Sequence, residues 1–282
     1  MTPIEKTIVL PHGTVHYWVY NSDKTQTILM IHGFRGTHHG LEKLIAELPD
    51  FRIVVPDLPG FGDTPAMKNH RHTVQNYSGL LREFVKKAGL KNPVLFGHSM
   101  GTIIAADMLA ADPSIAKKAV FVNPIATKPT QGLGAIKIAP GIAYHHLAGR
   151  ILPEKLGTAI LRNKQLFLIG SATMTKTRDR ELRKWIHWNH VTYMKRFSDR
   201  ASLLEAYDSS SNTTIRDYVS KLELPVLMVA GKKDSIAPIK GQRSLAAELK
   251  NAELVELDNV GHIVHYEKPA EAGNAIRSFL QR

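Results

Sequence analysis

"VLFGHSMGTII", residues 94–104, joins two kinds of apolar chain through a polar pair. Val94 to Phe96 read as a buried strand, and an apolar helix begins at Met100. Between them sit His98 and Ser99, fenced by Gly97 and Gly101. A turn sharp enough to project Ser99 from a strand–helix junction strains the backbone, and the close packing beside it leaves room only for glycine. The helix then points its first N–H groups back at the serine, where they can stabilise an oxyanion. Ser99 therefore reads as a nucleophile. A bare Gly-x-Ser-x-Gly arises by chance in on the order of one chain in ten of this length, so its place after a strand and before a helix carries the reading.

Outward from that turn, short β-rich runs recur at 7–10, 15–20, 27–32, 52–56, 93–97, 118–123, 225–231 and 252–257. Near-continuous apolar stretches such as "ILMI" and "IVV" suggest strands covered on both faces, as in a parallel sheet. The segments 39–48, 73–88, 100–111, 239–250 and 269–281 can be helical, and this alternation predicts a doubly wound α/β sheet. It fails between residues 124 and 216, a stretch of helices and loops too long for a plain connection. The expected division is a core of residues 1–123 and 217–282 with a helical cap, or lid, at 124–216.

The bulk composition limits the function classes. A chain of 282 residues with 43% hydrophobic and 22% charged residues can bury a sizeable core. With no cysteines it has no disulfide, thiolate nucleophile or cysteine-ligated zinc. The start, "MTPIEKTIVLPHGT", lacks the pattern of a secretory signal, and no apolar run is long enough to span a bilayer, so a cytoplasmic protein without stable membrane insertion is expected. The net charge is +12, and residues 124–215 carry fourteen Lys/Arg against six Asp/Glu. Such a balance suits a solvated surface or an anionic substrate. No recognised nucleic-acid motif accompanies it, so a nucleic-acid partner is not expected. Oligomeric state stays open.

The motifs resemble those of the α/β-hydrolase fold superfamily, in its serine-nucleophile branch. "GHSMG" (97–101) is similar to the nucleophile elbow, "IHGFRG" (31–36) to the oxyanion loop and "DLPGFGDT" (57–64) to the loop after the fourth strand. "GKKDSIAP" (231–238) is similar to the acid loop and "GHIVHYEKP" (261–269) to the histidine loop. The resemblance implies a mostly parallel eight-stranded sheet flanked by helices, and a triad of Ser99, Asp234 and His262 in the chain order this fold uses. A serine hydroxyl needs a base, and the base a third group to fix its tautomer. His262 directly follows Gly261 as the family pattern requires, ahead of His98 and His265. Asp234 is preferred to Asp258, which reads as a turn residue. Asn123 stands where some relatives carry the acid and cannot serve as a carboxylate. The implied oxyanion donors are the main-chain N–H groups of Phe34 and Met100, while His32 and Gly33 shape the loop and Asp57 and Gly60 are structural.

The serine sets this chain apart from relatives that use an elbow aspartate. Carbon–carbon hydrolases of ring-cleavage products share the triad, but this chain has "GFRG" and Ile263 where they usually show Ser-Gly-Pro-Gly and tryptophan. The expected activity is a carboxylesterase-like serine hydrolase acting on a small-molecule acyl substrate, with no metal or cofactor. A carbon–carbon hydrolase and a ligand-binding receptor are the alternatives. Trp185, Trp188, Tyr193 and Phe197 form an expected aromatic cluster, either cap core or pocket wall. Arg183, Lys184, Lys195 and Arg196 read as a solvated face.

Overall fold

The computed structural model describes residues 2–128 and 134–282. Eight strands form one sheet: β1 (Ile4–Leu10), β2 (Gly13–Tyr20), β3 (Thr27–Ile31), β4 (Arg52–Pro56), β5 (Val94–His98), β6 (Ala119–Val122), β7 (Val226–Gly231) and β8 (Ala252–Leu257). Their spatial order is β1-β2-β4-β3-β5-β6-β7-β8. β2 is antiparallel to both β1 and β4, and every pairing from β4 to β8 is parallel. This is the sheet the apolar runs predict.

The near-continuous apolar strands have a physical cause. Alternate side chains point to opposite faces, and both faces are covered. Ile28, Met30, Ile53, Val55, Phe96, Val120 and Val229 pack with Leu44 and Ile45 of α1 (Glu42–Ala46) and Ile276 of α11 (Pro269–Leu280). Leu29, Ile31, Val54, Leu95, Phe121 and Met228 face the other way. They meet Leu80, Leu81 and Phe84 of α2 (Val74–Lys87), Ile103 and Ile104 of α3 (Met100–Ala111) and Leu245 of α9 (Ile239–Glu248). Each fully buried Leu, Ile or Phe contributes roughly 1.5–3 kcal/mol of transfer free energy. Alternation of polar and apolar residues is lost because no face is left to water.

Between β6 and β7 the described chain forms α4 (Gly134–His146), a π-helical turn (Leu147–Ile151), α5 (Glu154–Leu161), α6 (Lys164–Met174), α7 (Arg180–Tyr193) and α8 (Arg200–Asn212). Asn163, Asp179 and Asp199 start α6, α7 and α8 by accepting first-turn N–H groups. These helices are tied to loops that follow the strands. Phe61 and Phe197 form a β-bridge, Gly62 N donates to Arg196 O, and Ser198 N donates to Gly60 O. Asn189 links to both His39 and Tyr266, and Val74 N donates to Ser209 Oγ. Helix α10 (Val264–Glu267) carries Tyr266 and leads into α11. Among the described residues, no helix is long and apolar enough to cross a membrane.

Candidate active site

The strand–helix turn at Ser99 is as strained as its sequence suggests. Ser99 has φ 52° and ψ −121°, a region most L-residues avoid. Its N–H donates to Val122 O and its carbonyl accepts from Thr102 Oγ1, so both sides of the turn are held. The flanking glycines are sterically required. A Cβ on Gly101 would lie 2.1 Å from Ile31 O, and one on Gly97 would lie 2.5 Å from Gly101 C.

Three side chains from three different loops meet at this turn. Ser99 Oγ lies 2.8 Å from His262 Nε2, and His262 Nδ1 lies 2.8 Å from Asp234 Oδ2. His262 and Asp234 are buried. Their loops approach closely at Gly231, where a Cβ would stand 2.2 Å from Gly261 O. The Asp234 carboxylate accepts on both oxygens: Oδ1 takes the N–H groups of Ile236 and Ala237, and Oδ2 takes His262 and the Asn123 amide at 2.9 Å. A carboxylate so held fixes the proton of His262 on Nδ1 and leaves Nε2 free to accept from the serine. Asp258 is instead exposed and pairs with Lys232 Nζ at 3.0 Å.

Asn123 does more than fail to be a carboxylate. It ends β6 with φ 49°, and its amide donates to Asp234 Oδ2 and to Gly261 O, joining the loops that carry Asp234 and His262. Asparagine's tolerance of left-handed φ is a sequence signal, but its partners come from 111 and 138 residues away. His98 and His265 are also buried beside His262. His98 Nε2 lies 3.0 Å from His262 O, and the rings of His98 and His265 are 4.0 Å apart. Burial lowers the pKa of His98 to about 3 and that of His265 well below the usual value, so both are neutral.

The loop after β3 lies directly on Ser99, since a Cβ on Gly33 would be 3.0 Å from Ser99 Cβ. His32 braces this loop. Its Nε2 accepts from Leu58 N, which places the ring proton on Nδ1, where it donates to Gly33 O at 2.8 Å. Burial lowers its pKa as well. Gly36 N donates to Gly33 O, closing a turn with Phe34 and Arg35 at its centre. Met100 is the first residue of α3, where N–H groups lack intrahelical partners. Phe34 and Met100 therefore stand on the two segments that adjoin Ser99.

The expected aromatic cluster is not one group. Trp185 lies edge-on to Tyr266 and under Lys43 Nζ, Trp188 is 54% exposed and edge-on to Tyr193, and Tyr193 stacks on His39. The buried stripe of α7 is Ile186, Asn189 and His190, so the helix turns Trp185 and Trp188 to its flanks. Phe197, past the helix end, is buried against Phe61, Arg35 and Arg162. The rings packed on Phe34 are Phe61, His145 and Tyr207, which no helical spacing in the sequence singled out. Arg183, Lys184, Lys195 and Arg196 are exposed, as a solvated face requires. His38, His39 and Glu42 bring possible metal-ligand atoms within 4.8 Å of one another. His38 Nδ1 already bonds to Asp57 and His39 Nδ1 to Glu42.

A parallel-sheet fold with a strained serine at its central strand–helix turn defines a class of hydrolases. The chain belongs to the alpha/beta hydrolase fold family, whose sequence pattern matches residues 26–269. It is 26% identical over 275 residues to the uncharacterized hydrolase YugF of Bacillus subtilis, covering 95% of this chain and 94% of that protein. It is 27% identical over 237 residues to a pimeloyl-(acyl-carrier protein) methyl ester esterase of Pseudoalteromonas atlantica, covering 79% and 85%. In fold it is similar to the 2-hydroxy-6-oxo-6-phenylhexa-2,4-dienoate hydrolase of Rhodococcus sp. strain RHA1. That likeness has a TM-score of 0.79 at 16% identity and covers 100% of this chain and 99% of that one. The chain is a hydrolase of this family.

Proposed function

We propose that the protein is a serine hydrolase that cleaves a carboxylic ester or related acyl bond through an acyl-enzyme. The observation that carries this reading is the hydrogen-bonded chain from Asp234 through His262 to Ser99, with 2.8 Å at each link. Ser99 Oγ attacks the carbonyl carbon while its proton passes to His262 Nε2. The imidazolium so formed keeps its Nδ1–H on Asp234. The N–H groups of Phe34 and Met100 receive the negative charge on the carbonyl oxygen, each worth roughly 3 kcal/mol of the barrier. His262 then gives its proton to the leaving alcohol as the ester C–O bond breaks; a water deprotonated by the same nitrogen attacks the acyl carbon, and His262 returns that proton to Ser99 Oγ as the acid leaves. The chain's own groups carry every step. A name such as methyl ester esterase among the relatives supports an ester over other acyl bonds. The helices between β6 and β7 act as the cap and form the wall that faces a small-molecule substrate, which puts substrate choice there.

Ser99→Ala tests the reading. The side chain is small, so the fold should persist while hydrolysis of p-nitrophenyl esters and labelling by a fluorophosphonate both disappear. Hydrolysis by Ser99→Ala at near wild-type kcat would overturn the mechanism. Labelling of the wild type without substrate turnover would favour the binding-protein reading.

A further inference from the structure

Arg35 is an unusual residue for its place. It is the third residue of the Gly33–Gly36 turn, next to Phe34, and has φ 59°. The third position of a turn with positive φ ordinarily takes glycine or asparagine. Its side chain is 4% exposed, although a buried guanidinium is costly without a carboxylate partner. Here the partners are main-chain carbonyls, with the Tyr144 side chain of α4 beside them. Nη2 donates to Leu161 O at 2.8 Å and Nε donates to Met194 O at 3.1 Å. Leu161 is the last residue of α5 and Met194 caps α7, so both carbonyls lie at the negative ends of helices. The guanidinium also lies 4.2 Å from the Phe167 ring centroid on α6 and 5.2 Å from that of Phe197. Burial lowers its pKa to about 10, which leaves it charged at neutral pH.

One residue thus joins three of the inserted helices to the turn that adjoins the nucleophile. We propose that Arg35 is a positioning residue: by gripping α5, α6 and α7 it holds its own backbone in the left-handed conformation and so keeps the Phe34 N–H aimed as an oxyanion donor. Seating of the inserted helices and completion of the oxyanion hole are then one event. The Phe34 ring, packed on His145 of α4 and Tyr207 of α8, reports on the same seating. The inference rests on the serine-hydrolase reading above and adds to it a residue outside the triad. A direct role for Arg35 as an anchor for an anionic substrate is the competing reading. It is less favoured because two arms of the guanidinium are already committed to helix ends.

The test compares Arg35→Ala with Arg35→Gly in the intact chain. Both lose the grip, but only glycine adopts φ near +59° without steric cost. Four quantities are read: kcat and KM on a neutral p-nitrophenyl ester, the inhibition constant of a trifluoromethyl ketone that forms an oxyanion on Ser99, and the melting temperature. Alanine should lower kcat by about a hundredfold, the effect of losing one oxyanion donor, with KM changed by less than about threefold. Trifluoromethyl ketone affinity should weaken in parallel. Glycine should recover about tenfold of that kcat, and with the left-handed strain relieved it should melt at or above the alanine variant. A merely structural clamp would leave the kcat and trifluoromethyl ketone affinity of the folded protein near wild type, and equally lowered kcat in the two variants overturns the proposal too. So does a loss confined to KM for anionic esters, or an unchanged kcat in both.

If Arg35→Ala does not fold, Arg35→Lys keeps a buried cation but lacks the planar fork that reaches two carbonyls. With native circular dichroism it should lose about tenfold or more in kcat, and wild-type kcat there overturns the proposal. The two levels of failure are separable. Activity that survives Ser99→Ala removes the serine-hydrolase reading, whereas Ser99-dependent activity that ignores Arg35 removes only this inference.

Discussion

At the scale of single residues, Asp234, the proposed acid, shows how local identity and distant partners divide the work. Asp234 is acceptor-only, and all four of its hydrogen-bond partners are donors: Ile236 N, Ala237 N, the Asn123 amide and His262 Nδ1. Replacing Asp234 by asparagine turns one acceptor into an NH2 that must face a donor, whichever way the amide is placed. His262 then loses the partner that fixes its tautomer, and kcat should fall by roughly 10⁴. The melting temperature should fall measurably as well, because a buried unsatisfied donor in this crowded site costs about 1–3 kcal/mol. Asp258→Asn touches only an exposed pair with Lys232 and should leave kcat within about twofold of wild type. A large kcat loss in Asp258→Asn with activity kept in Asp234→Asn would reverse the assignment of the acid.

At the scale of elements, α3 makes an opposite demand on glycine from that of an ordinary helix. Alanine is about 1 kcal/mol better than glycine inside a helix, and Gly170 on the exposed face of α6 has nothing within 4 Å of an added Cβ. Gly170→Ala should therefore raise stability by up to that amount. Gly101→Ala should do the reverse, because its Cβ would sit 2.1 Å from Ile31 O, and β3 and α3 would have to separate. Urea unfolding with esterase assays checks both. Stability and activity should fall together in Gly101→Ala, and a Gly101→Ala variant as stable as the wild type would show that the contact is softer than drawn. The same scale shows where a helical pattern stops informing. The spacing of Trp185, Trp188 and Tyr193 marks a helix correctly. Which flank meets which neighbour depends on Tyr266, His39 and Lys43, which come from other parts of the chain.

At the scale of the whole molecule, buried neutral histidines set the acid limit of stability. Burial lowers His98 and His190 to about 3 and His145 to about 4, and also lowers His32 and His265. In the unfolded chain each titrates near 6.5. Because the folded values lie below the unfolded one, this contribution to stability is fully present above about pH 6.5 and is lost as pH falls toward the folded values. Each such histidine removes up to about 1.4 kcal/mol per pH unit in that window. His98, His190 and His145, with values of about 3 to 4, together remove up to roughly 6 kcal/mol by about pH 5, a large part of the stability of a domain. The urea midpoint should accordingly drop steeply between pH 7 and pH 5. A midpoint that stays level across that range would mean that these rings find compensating partners when protonated.

The sheet, its flanking helices and the residues proposed for the site were readable along the chain. Runs buried on both faces carry their signal in composition alone, and the serine fenced by glycines is readable because it falls between a strand and a helix. The acid and histidine loops were legible because their motifs are local. Tertiary structure alone decided how these local pieces are held. Asn123 joining Asp234 to Gly261, His98 against the His262 carbonyl, and Arg35 across the ends of α5 and α7 are all contacts between residues more than a hundred positions apart. Hydrogen bonds and packing depend on distance in space, and periodicity along the chain holds no record of which distant carbonyl a guanidinium will meet.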